Sequence, residues 1–248
     1  MNPGDVAGGA PGVSVSIVVP AFNEEQRIAP TLESLARSCA VNGYRHEILV
    51  VDDGSTDGTV ALCRRLQATL PALAVIPTRP NRGKGHAVRV GMLAAVGSVR
   101  VMVDADGSTP ADQLPRLIAP IVDGSATVAI GSRYGAGSSG TDQPWWRRAW
   151  SRLANWYAQR ALIPGIRDAH CGFKAFAGSA ATELFTRATV DGWAFDLEIL
   201  ALALRHGHRI AEVTVPWTDD RRSRVRPLHD LRRVLRDVAL LQRSLKAS

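Results

Sequence analysis

Cysteine is scarce in this chain of 248 residues, which contains only three. Cys39, Cys63 and Cys171 lie far apart, and no two of them form a C-x-x-C pair. A disulfide framework uses an even set of cysteines and a zinc site uses closely spaced ligand pairs, so the sequence favours neither. So few cysteines are typical of a protein from a reducing compartment.

Long apolar runs are also missing, although hydrophobic residues make up 46% of the chain. No stretch approaches the roughly 18 residues that a membrane-spanning helix needs. Residues 1–12 lack the basic start and the apolar run of a signal peptide, so we expect them to form a flexible leader. The composition is otherwise that of an ordinary globular protein, and we expect one domain over residues 13–226.

Two common nucleotide-binding motifs are absent as well. The chain has no G-x-x-x-x-G-K-[ST] sequence, which makes a P-loop ATPase improbable. No G-x-G-x-x-G follows the first apolar run, so the sequence does not favour a dinucleotide-binding fold.

Positive charge is present in excess, and it lies at one end of the chain. The net charge is +7, and residues 221–248, with nine Lys or Arg and two Asp, carry all of it. Leucines and valines recur at helical spacing in the same stretch, so we expect a basic amphipathic helix over residues 227–248. Such a helix could lie on anionic lipid, cap the domain or contact a small integral-membrane partner.

Apolar runs and amphipathic segments alternate along the first half of the chain. Five runs predict buried strands, namely VSVSIVVPAF, HEILVVDD, ALAVIP, VRVMV and ATVAIGSRY. Helical spacing follows most of them, and Asn23 is a candidate N-cap for the first helix. This alternation predicts an α/β fold with a mostly parallel central sheet.

Polar residues follow three of these runs, in the sequences PAFNEE, VVDDGST and VDADGST. In open α/β sheets, ligands bind at the carboxyl ends of the strands. One acidic strand end is more simply explained as a solvated turn, whereas three in successive strands indicate a binding site.

The pair Asp104 and Asp106 indicates what this site could hold. Residues two apart in extended backbone point the same way, so the two carboxylates would repel each other. A divalent cation relieves that repulsion, and hard oxygen ligands favour Mg²⁺ or Mn²⁺. Because Mg²⁺ often uses one or two carboxylates together with substrate phosphates, the sequence suggests a diphosphate ligand.

Taken together, the motifs SIVVPAFNEE, VVDDGSTDGT, NRGKGHAVRVGM, VDADGST and GSRY resemble those of the family 2 inverting glycosyltransferases of the GT-A type, which have a Rossmann-like fold. DAHCGFKAF and DGWAFDLEIL extend the resemblance to the dolichyl- or polyprenyl-phosphate sugar synthases, and among these to the dolichyl-phosphate beta-glucosyltransferase branch. The resemblance covers residues 13–225 and implies transfer of a hexose to a polyprenyl phosphate with inversion at C1. The donor it implies is a UDP-linked sugar, glucose or N-acetylgalactosamine, or else GDP-mannose. The glucosyl branch usually begins with a transmembrane anchor, for which this sequence has no counterpart.

The resemblance also assigns roles to residues by their position in the motifs. It implies a nucleotide-sugar site formed by Pro20, Phe22, Glu24, Val51, Asp53, Lys84, Asp104, Ala105, Asp106, Arg133 and Arg224. It implies Asp104 and Asp106 as the metal ligands, and it implies Arg133, Arg147 and Ser151 as the residues that grip the acceptor phosphate. The residues implied to act in catalysis are Asp106, Arg133 and Asp196. For Asp53 and Glu24, the alternative role is stabilisation of a helix N-terminus. For Arg133, the alternative is an ordinary surface position.

A segment that is rich in tryptophan and arginine suggests where a lipid would bind. Residues 143–166 contain four of the six tryptophans and no acidic residue, a composition typical of helices at a membrane interface. We therefore expect peripheral association with the cytoplasmic face of a membrane, and no nucleic-acid partner. A core helix with a charged face is the alternative for this segment. For the whole protein the alternatives are a transferase with a soluble or glycan hydroxyl acceptor and a non-catalytic basic adaptor that binds membrane or nucleic acid.

Overall fold

The computed structural model describes residues 13–133 and 162–218. This part of the chain forms a seven-stranded sheet covered by helices on both faces. The strands are β1 (Ser14–Ala21), β2 (Arg45–Asp52), β3 (Leu73–Pro77), β4 (Val99–Val103), β5 (Val128–Ser132), β6 (Phe173–Ala177) and β7 (Ile210–Thr214). The α-helices are α1 (Ile28–Val41), α2 (Thr59–Leu66), α3 (Lys84–Ala94), α4 (Leu114–Val122), α5 (Gly178–Arg187) and α6 (Phe195–Arg205).

The order of the strands across the sheet is β3-β2-β1-β4-β6-β5-β7. Every neighbouring pair is parallel except those that involve β6, which runs antiparallel to both β4 and β5. The predicted α/β fold with a mostly parallel sheet is therefore confirmed. Neither the antiparallel strand β6 nor the edge strand β7 was predicted.

Helices on the two faces explain why the central strands are mostly apolar and buried. On one face, α1 and α4 pack side chains such as Leu32 and Leu117 against the sheet. On the other face, α3, α5 and α6 contribute residues such as Met92, Leu184 and Leu197. Seven of the eight residues of β1 are consequently buried, as expected of a central parallel strand with both faces covered.

The first helix begins later than the sequence predicts. Its N-cap position is Arg27, whereas Asn23 adopts a positive φ of 57° in the preceding loop. The Asn23 side-chain oxygen accepts hydrogen bonds from the backbone amides of Thr56 (2.8 Å) and Asp57 (3.3 Å). The predicted cap therefore connects the loops after β1 and β2, which brings two of the three polar strand ends together.

Several predictions concern residues outside the described ranges. These are the leader at residues 1–12, the helix at residues 227–248, the binding residues Arg147, Ser151 and Arg224, and most of the tryptophan-rich segment. The limits of the domain at residues 13–226 likewise stay a prediction. Within the described residues, no helix is both long enough and apolar enough to cross a bilayer.

Candidate active site

An open cavity of about 310 Å³ lies at the carboxyl ends of β1, β2 and β4. All three polar strand ends contribute to it, as expected from parallel strands that end at the same edge. The residues that line it are Pro20, Ala21, Phe22, Glu24, Arg27, Asp53, Asn81, Gly83, Lys84, Ala87, Asp104, Ala105, Asp106 and Trp193. Eight of the residues predicted to bind a nucleotide sugar are among them.

The backbone between the two carboxylates is held from both sides. The amide of Asp104 donates a hydrogen bond to the carbonyl of Gly172 (3.0 Å), and the hydroxyl of Thr31 donates to the carbonyl of Ala105 (2.9 Å). The Asp106 carboxylate accepts from the amide of Ser108 at 3.0 Å. These contacts fix the direction in which both acidic side chains enter the cavity.

Lys84, the first residue of α3, places its ammonium 2.5 Å from the Asp104 carboxylate. Burial alone would lower the pKa of Lys84, but the negative charges of Asp104, Asp196 and Asp106 outweigh it and hold the pKa above its usual value. The ammonium therefore stays charged at neutral pH. It supplies the positive charge that two adjacent carboxylates need.

The donor set at this edge fits a divalent cation of the Mg²⁺ or Mn²⁺ type. Asp104 and Asp106 offer hard oxygen atoms to one cavity, and the ammonium of Lys84 already marks a position that favours a cation. The described residues contain no cluster of three or more His, Cys, Asp or Glu side chains with metal-binding geometry. Two carboxylates completed by substrate phosphates are an arrangement that Mg²⁺ commonly uses.

Gly172 lies directly against the Asp104 carboxylate, at the start of β6. A Cβ atom at this position would overlap that carboxyl group. The residue was not singled out from the sequence, although it lies in the motif DAHCGFKAF. Its role is to let the β6 backbone approach Asp104 closely enough for the hydrogen bond between them.

We expect the substitution Gly172→Ala to lower sugar transfer at least about tenfold, because overpacking of this size shifts its neighbours and costs about 1–3 kcal/mol. The measurements are kcat and the melting temperature. Gly165→Ala is the control, since its added Cβ meets open space and only its φ of +85° is unfavourable. Unaltered kcat in Gly172→Ala would show that the position of Asp104 does not limit activity.

Asp53 lines the cavity, but its carboxylate already accepts hydrogen bonds from the backbone of a neighbouring loop. It accepts hydrogen bonds from the backbone amides of Arg82 (3.1 Å) and Gly83 (2.7 Å), and its side chain is almost completely buried. The bond to Gly83 stabilises a residue with a φ of 115° immediately before α3. Asp53 thus supports the N-terminus of α3, the helix that carries Lys84, and recognition of the nucleoside by Asp53 stays a prediction.

The other residues predicted on the nucleoside side take two different positions. Phe22 is 41% exposed at the cavity, and Glu24 forms an ion pair with Arg27 at 2.7 Å. Val51 instead has its side chain in the core and does not line the cavity. Its predicted part in nucleoside binding stays a prediction.

Arg133, at the end of β5, is oriented by a buried carboxylate. Its guanidinium donates two hydrogen bonds of 2.8 Å to Asp168, and its backbone amide donates a third at 2.9 Å. Burial would raise the pKa of Asp168, but the hydrogen bonds and charge of Arg133 hold it below its usual value. Trp217 covers the guanidinium at 5.3 Å from its ring centre. Arg133 is not part of the cavity lining.

Asp196 is buried and forms an ion pair with Lys174 at 2.5 Å. The Lys174 ammonium also donates a hydrogen bond to the carbonyl of Cys171 at 2.6 Å. Neither member of the pair lines the cavity. A catalytic role for Asp196 therefore stays a prediction: its direct contact is the ion pair with Lys174, and its charge also acts on Lys84.

Trp193 is one of six lining residues that the sequence did not single out, the others being Ala21, Arg27, Asn81, Gly83 and Ala87. Trp193 is 59% exposed, and its ring centre lies 5.2 Å from the Lys84 ammonium. Its loop is anchored by Glu198, which accepts hydrogen bonds from the amides of Thr189 and Val190, both at 2.9 Å. A large exposed aromatic residue inside the motif DGWAFDLEIL was the available signal.

The loop before Trp193 is also tied to α3. Asp191 pairs with Arg82 at 2.7 Å and with Arg89 at 2.6 Å. The hydrogen bonds and charges of both arginines outweigh burial and lower the pKa of the Asp191 carboxyl. The acidic and aromatic residues of DGWAFDLEIL thus hold one wall of the cavity in place.

Comparisons with known proteins agree with this geometry. Residues 16–185 match the family model described as Glycosyl transferase family 2. The chain is 34% identical over 246 residues to a dolichyl-phosphate beta-glucosyltransferase from Drosophila melanogaster, in an alignment that covers 94% of this chain and 75% of that protein. It is 33% identical over 237 residues to the human dolichyl-phosphate beta-glucosyltransferase, covering 88% of this chain and 71% of the relative.

Solved structures show the same fold at lower sequence identity. Glucosyl-3-phosphoglycerate synthase from Mycobacterium tuberculosis, in complex with Mn²⁺ and UDP-glucose, superposes with a TM-score of 0.70. The two sequences are 23% identical, and the match covers 94% of this chain and 79% of the other. The likeness supports the GT-A type of architecture predicted from the motifs.

Proposed function

The chain belongs to glycosyl transferase family 2, and from this we propose that it transfers glucose from UDP-glucose to a polyprenyl phosphate, with inversion at C1 of the sugar. One observation carries the proposal: Asp104, Asp106 and Lys84 meet in one cavity at the carboxyl ends of the strands. The relatives that span most of this chain are dolichyl-phosphate beta-glucosyltransferases, which supports both the sugar and the lipid phosphate.

The donor would bind with its nucleoside between the loops after β1 and β2. Pro20, Phe22 and Glu24 form one side of that region, and Asp53 forms the other. The diphosphate would then reach Asp104 and Asp106, which would hold Mg²⁺ or Mn²⁺. When bound, the cation would neutralise negative charge on the departing nucleoside diphosphate.

The acceptor supplies its own nucleophile in this reaction. The second pKa of a phosphate monoester is about 6, so the lipid phosphate is largely deprotonated at neutral pH and needs no strong general base. The protein must instead bring two anions together and hold them in line. Fixed positive charge and accurate positioning are therefore the main contributions expected of the side chains.

Arg133 is the described residue best placed to orient the acceptor phosphate. Its side chain is 30% exposed, and Asp168 holds the guanidinium in one direction. Arg147 and Ser151, which lie outside the described residues, complete the proposed phosphate-binding group, and Arg224 would contact the donor phosphates. We further propose that the basic tail and the tryptophan-rich segment bring the protein to the cytoplasmic face of the membrane, where a small integral-membrane partner could join it.

A panel of donors and acceptors tests the proposal. Full-length protein is incubated with UDP-glucose, UDP-N-acetylgalactosamine or GDP-mannose and a short polyprenyl phosphate, with Mg²⁺, Mn²⁺ or EDTA. We expect a glucosylated lipid phosphate from UDP-glucose, loss of product in EDTA, and a β anomer by NMR. A parallel arm offers a glycan hydroxyl acceptor. Transfer to that acceptor alone, or no transfer to any acceptor, would contradict the proposal.

A further inference from the structure

Lys84 places a positive charge beside Asp104 and Asp106, the two expected metal ligands. Its ammonium lies 2.5 Å from Asp104, and only 14% of its side chain is exposed. The backbone at this position is fixed, because the amide of the preceding residue, Gly83, donates a hydrogen bond to Asp53 at the start of α3. A fixed cation therefore already neutralises one of the two carboxylates.

We propose that Lys84 is a positioning residue that acts as an internal counter-cation for Asp104, competes with the divalent metal ion, and so couples metal binding to the arrival of the nucleoside diphosphate. The inference rests on the proposed function. It concerns the order in which the site fills rather than the identity of the sugar or the acceptor.

The charges in the cavity give the physical reason. Among the groups next to the expected metal position, Asp104 and Asp106 bring two negative charges and Lys84 brings one positive charge, so the ammonium offsets half of the charge that would attract a divalent cation there. Two cations that share one carboxylate also repel each other strongly in a partly buried cavity. A diphosphate adds negative charge at the same place and offers the ammonium another anionic partner, so the repulsion is offset.

The surroundings of Lys84 allow it to leave Asp104 and remain in the cavity. Its ammonium lies 5.2 Å from the ring centre of Trp193 and 6.0 Å from that of Phe195. Aromatic faces attract a cation at such distances. The two rings can therefore stabilise the displaced ammonium while the metal ion takes its place beside Asp104.

Equilibrium binding of Mn²⁺, followed by the EPR signal of the free ion, tests this without any transfer reaction. In the absence of nucleotide, we expect Lys84→Met to bind Mn²⁺ about tenfold more tightly than the unsubstituted protein. Saturating UDP should raise the Mn²⁺ affinity of the unsubstituted protein, and this increase should be at least about tenfold smaller in Lys84→Met. Coupling between two ligands is reciprocal, so it can also be measured as the effect of Mn²⁺ on UDP affinity. Lys84→Arg keeps the charge and should retain most of the coupling.

Two controls make the result specific. Arg116→Met removes one positive charge from α4, away from the cavity, and should leave Mn²⁺ affinity unchanged. Lys84→Gln is a second variant in case Lys84→Met does not fold, and melting curves are recorded for all of them. Mn²⁺ binding that is equal or weaker in both Lys84→Met and Lys84→Gln, compared with the unsubstituted protein, would overturn the inference. Loss of sugar transfer to lipid phosphate would instead contradict the proposed function, so the two failures are distinguishable.

Discussion

Replacing either Asp104 or Asp106 with Asn is expected to lower sugar transfer by about three orders of magnitude, because removing a key charge stabiliser from an active site costs about 3–4 kcal/mol. An amide is a poor substitute for a carboxylate in binding a hard divalent cation. In the Asp104 variant the Lys84 ammonium also loses its ion-pair partner. Both defects affect the cavity and leave the apolar core unchanged.

The measurement combines kcat with UDP-glucose and polyprenyl phosphate, the affinity for Mn²⁺ in the presence of UDP, and the melting temperature. Asp112→Asn is the matched control, since Asp112 lies in a short 3₁₀ turn nearby and is exposed to solvent. It should keep full activity. Full activity in both Asp104→Asn and Asp106→Asn would exclude these carboxylates as metal ligands.

The strands β1 to β5 could be predicted because they are mostly apolar. β1 and β4 are buried on both faces, and such runs between amphipathic segments have few alternative explanations. Two strands escaped prediction: β6 (Phe173–Ala177), a short run with a lysine at its second position, and β7 (Ile210–Thr214), which is only half-buried. The Lys174 charge is compatible with burial because its ammonium contacts both Asp196 and the carbonyl of Cys171.

The family and the cavity could also be predicted from the sequence. The family predicted from the motifs is confirmed by the match to the family model over residues 16–185 and by the similar dolichyl-phosphate beta-glucosyltransferases. The strand-end rule placed the acidic residues at one edge, where the structure brings Asp53, Asp104 and Asp106 into one cavity. The rule depends only on strand direction, which the alternation of apolar and amphipathic segments had already indicated.

The partners of the charged residues could not be predicted in the same way. Lys84 and Asp104 are 20 positions apart, and Arg133 and Asp168 are separated by 35. Spacing along the chain does not specify which side chains meet after folding, because that depends on how the elements that carry them pack together. For the same reason, Gly172 shows its importance only when its contact with Asp104 is seen.

The ion pair of Lys174 and Asp196 should have a large effect on stability. Lys174 lies on β6 in register with Met102 of β4 and Ile130 of β5, so its charge is in the middle of the sheet. Both side chains are at most 4% exposed. Removing one partner of a buried pair typically costs about 3–5 kcal/mol, and we expect Lys174→Met to lower the free energy of unfolding by that amount.

The double variant Lys174→Met/Asp196→Leu separates a structural role for Asp196 from a catalytic one. Because apolar residues of similar volume often replace a buried ion pair without loss of stability, we expect the double variant to recover most of the unfolding free energy that Lys174→Met loses. Urea denaturation measures the recovery, and kcat is determined on the same samples. If the pair only holds β6 against α6, sugar transfer should return together with stability. A double variant that regains stability and still transfers no sugar would instead support the catalytic role that the family resemblance implies for Asp196, since loss of that carboxylate would then affect the reaction and not the fold.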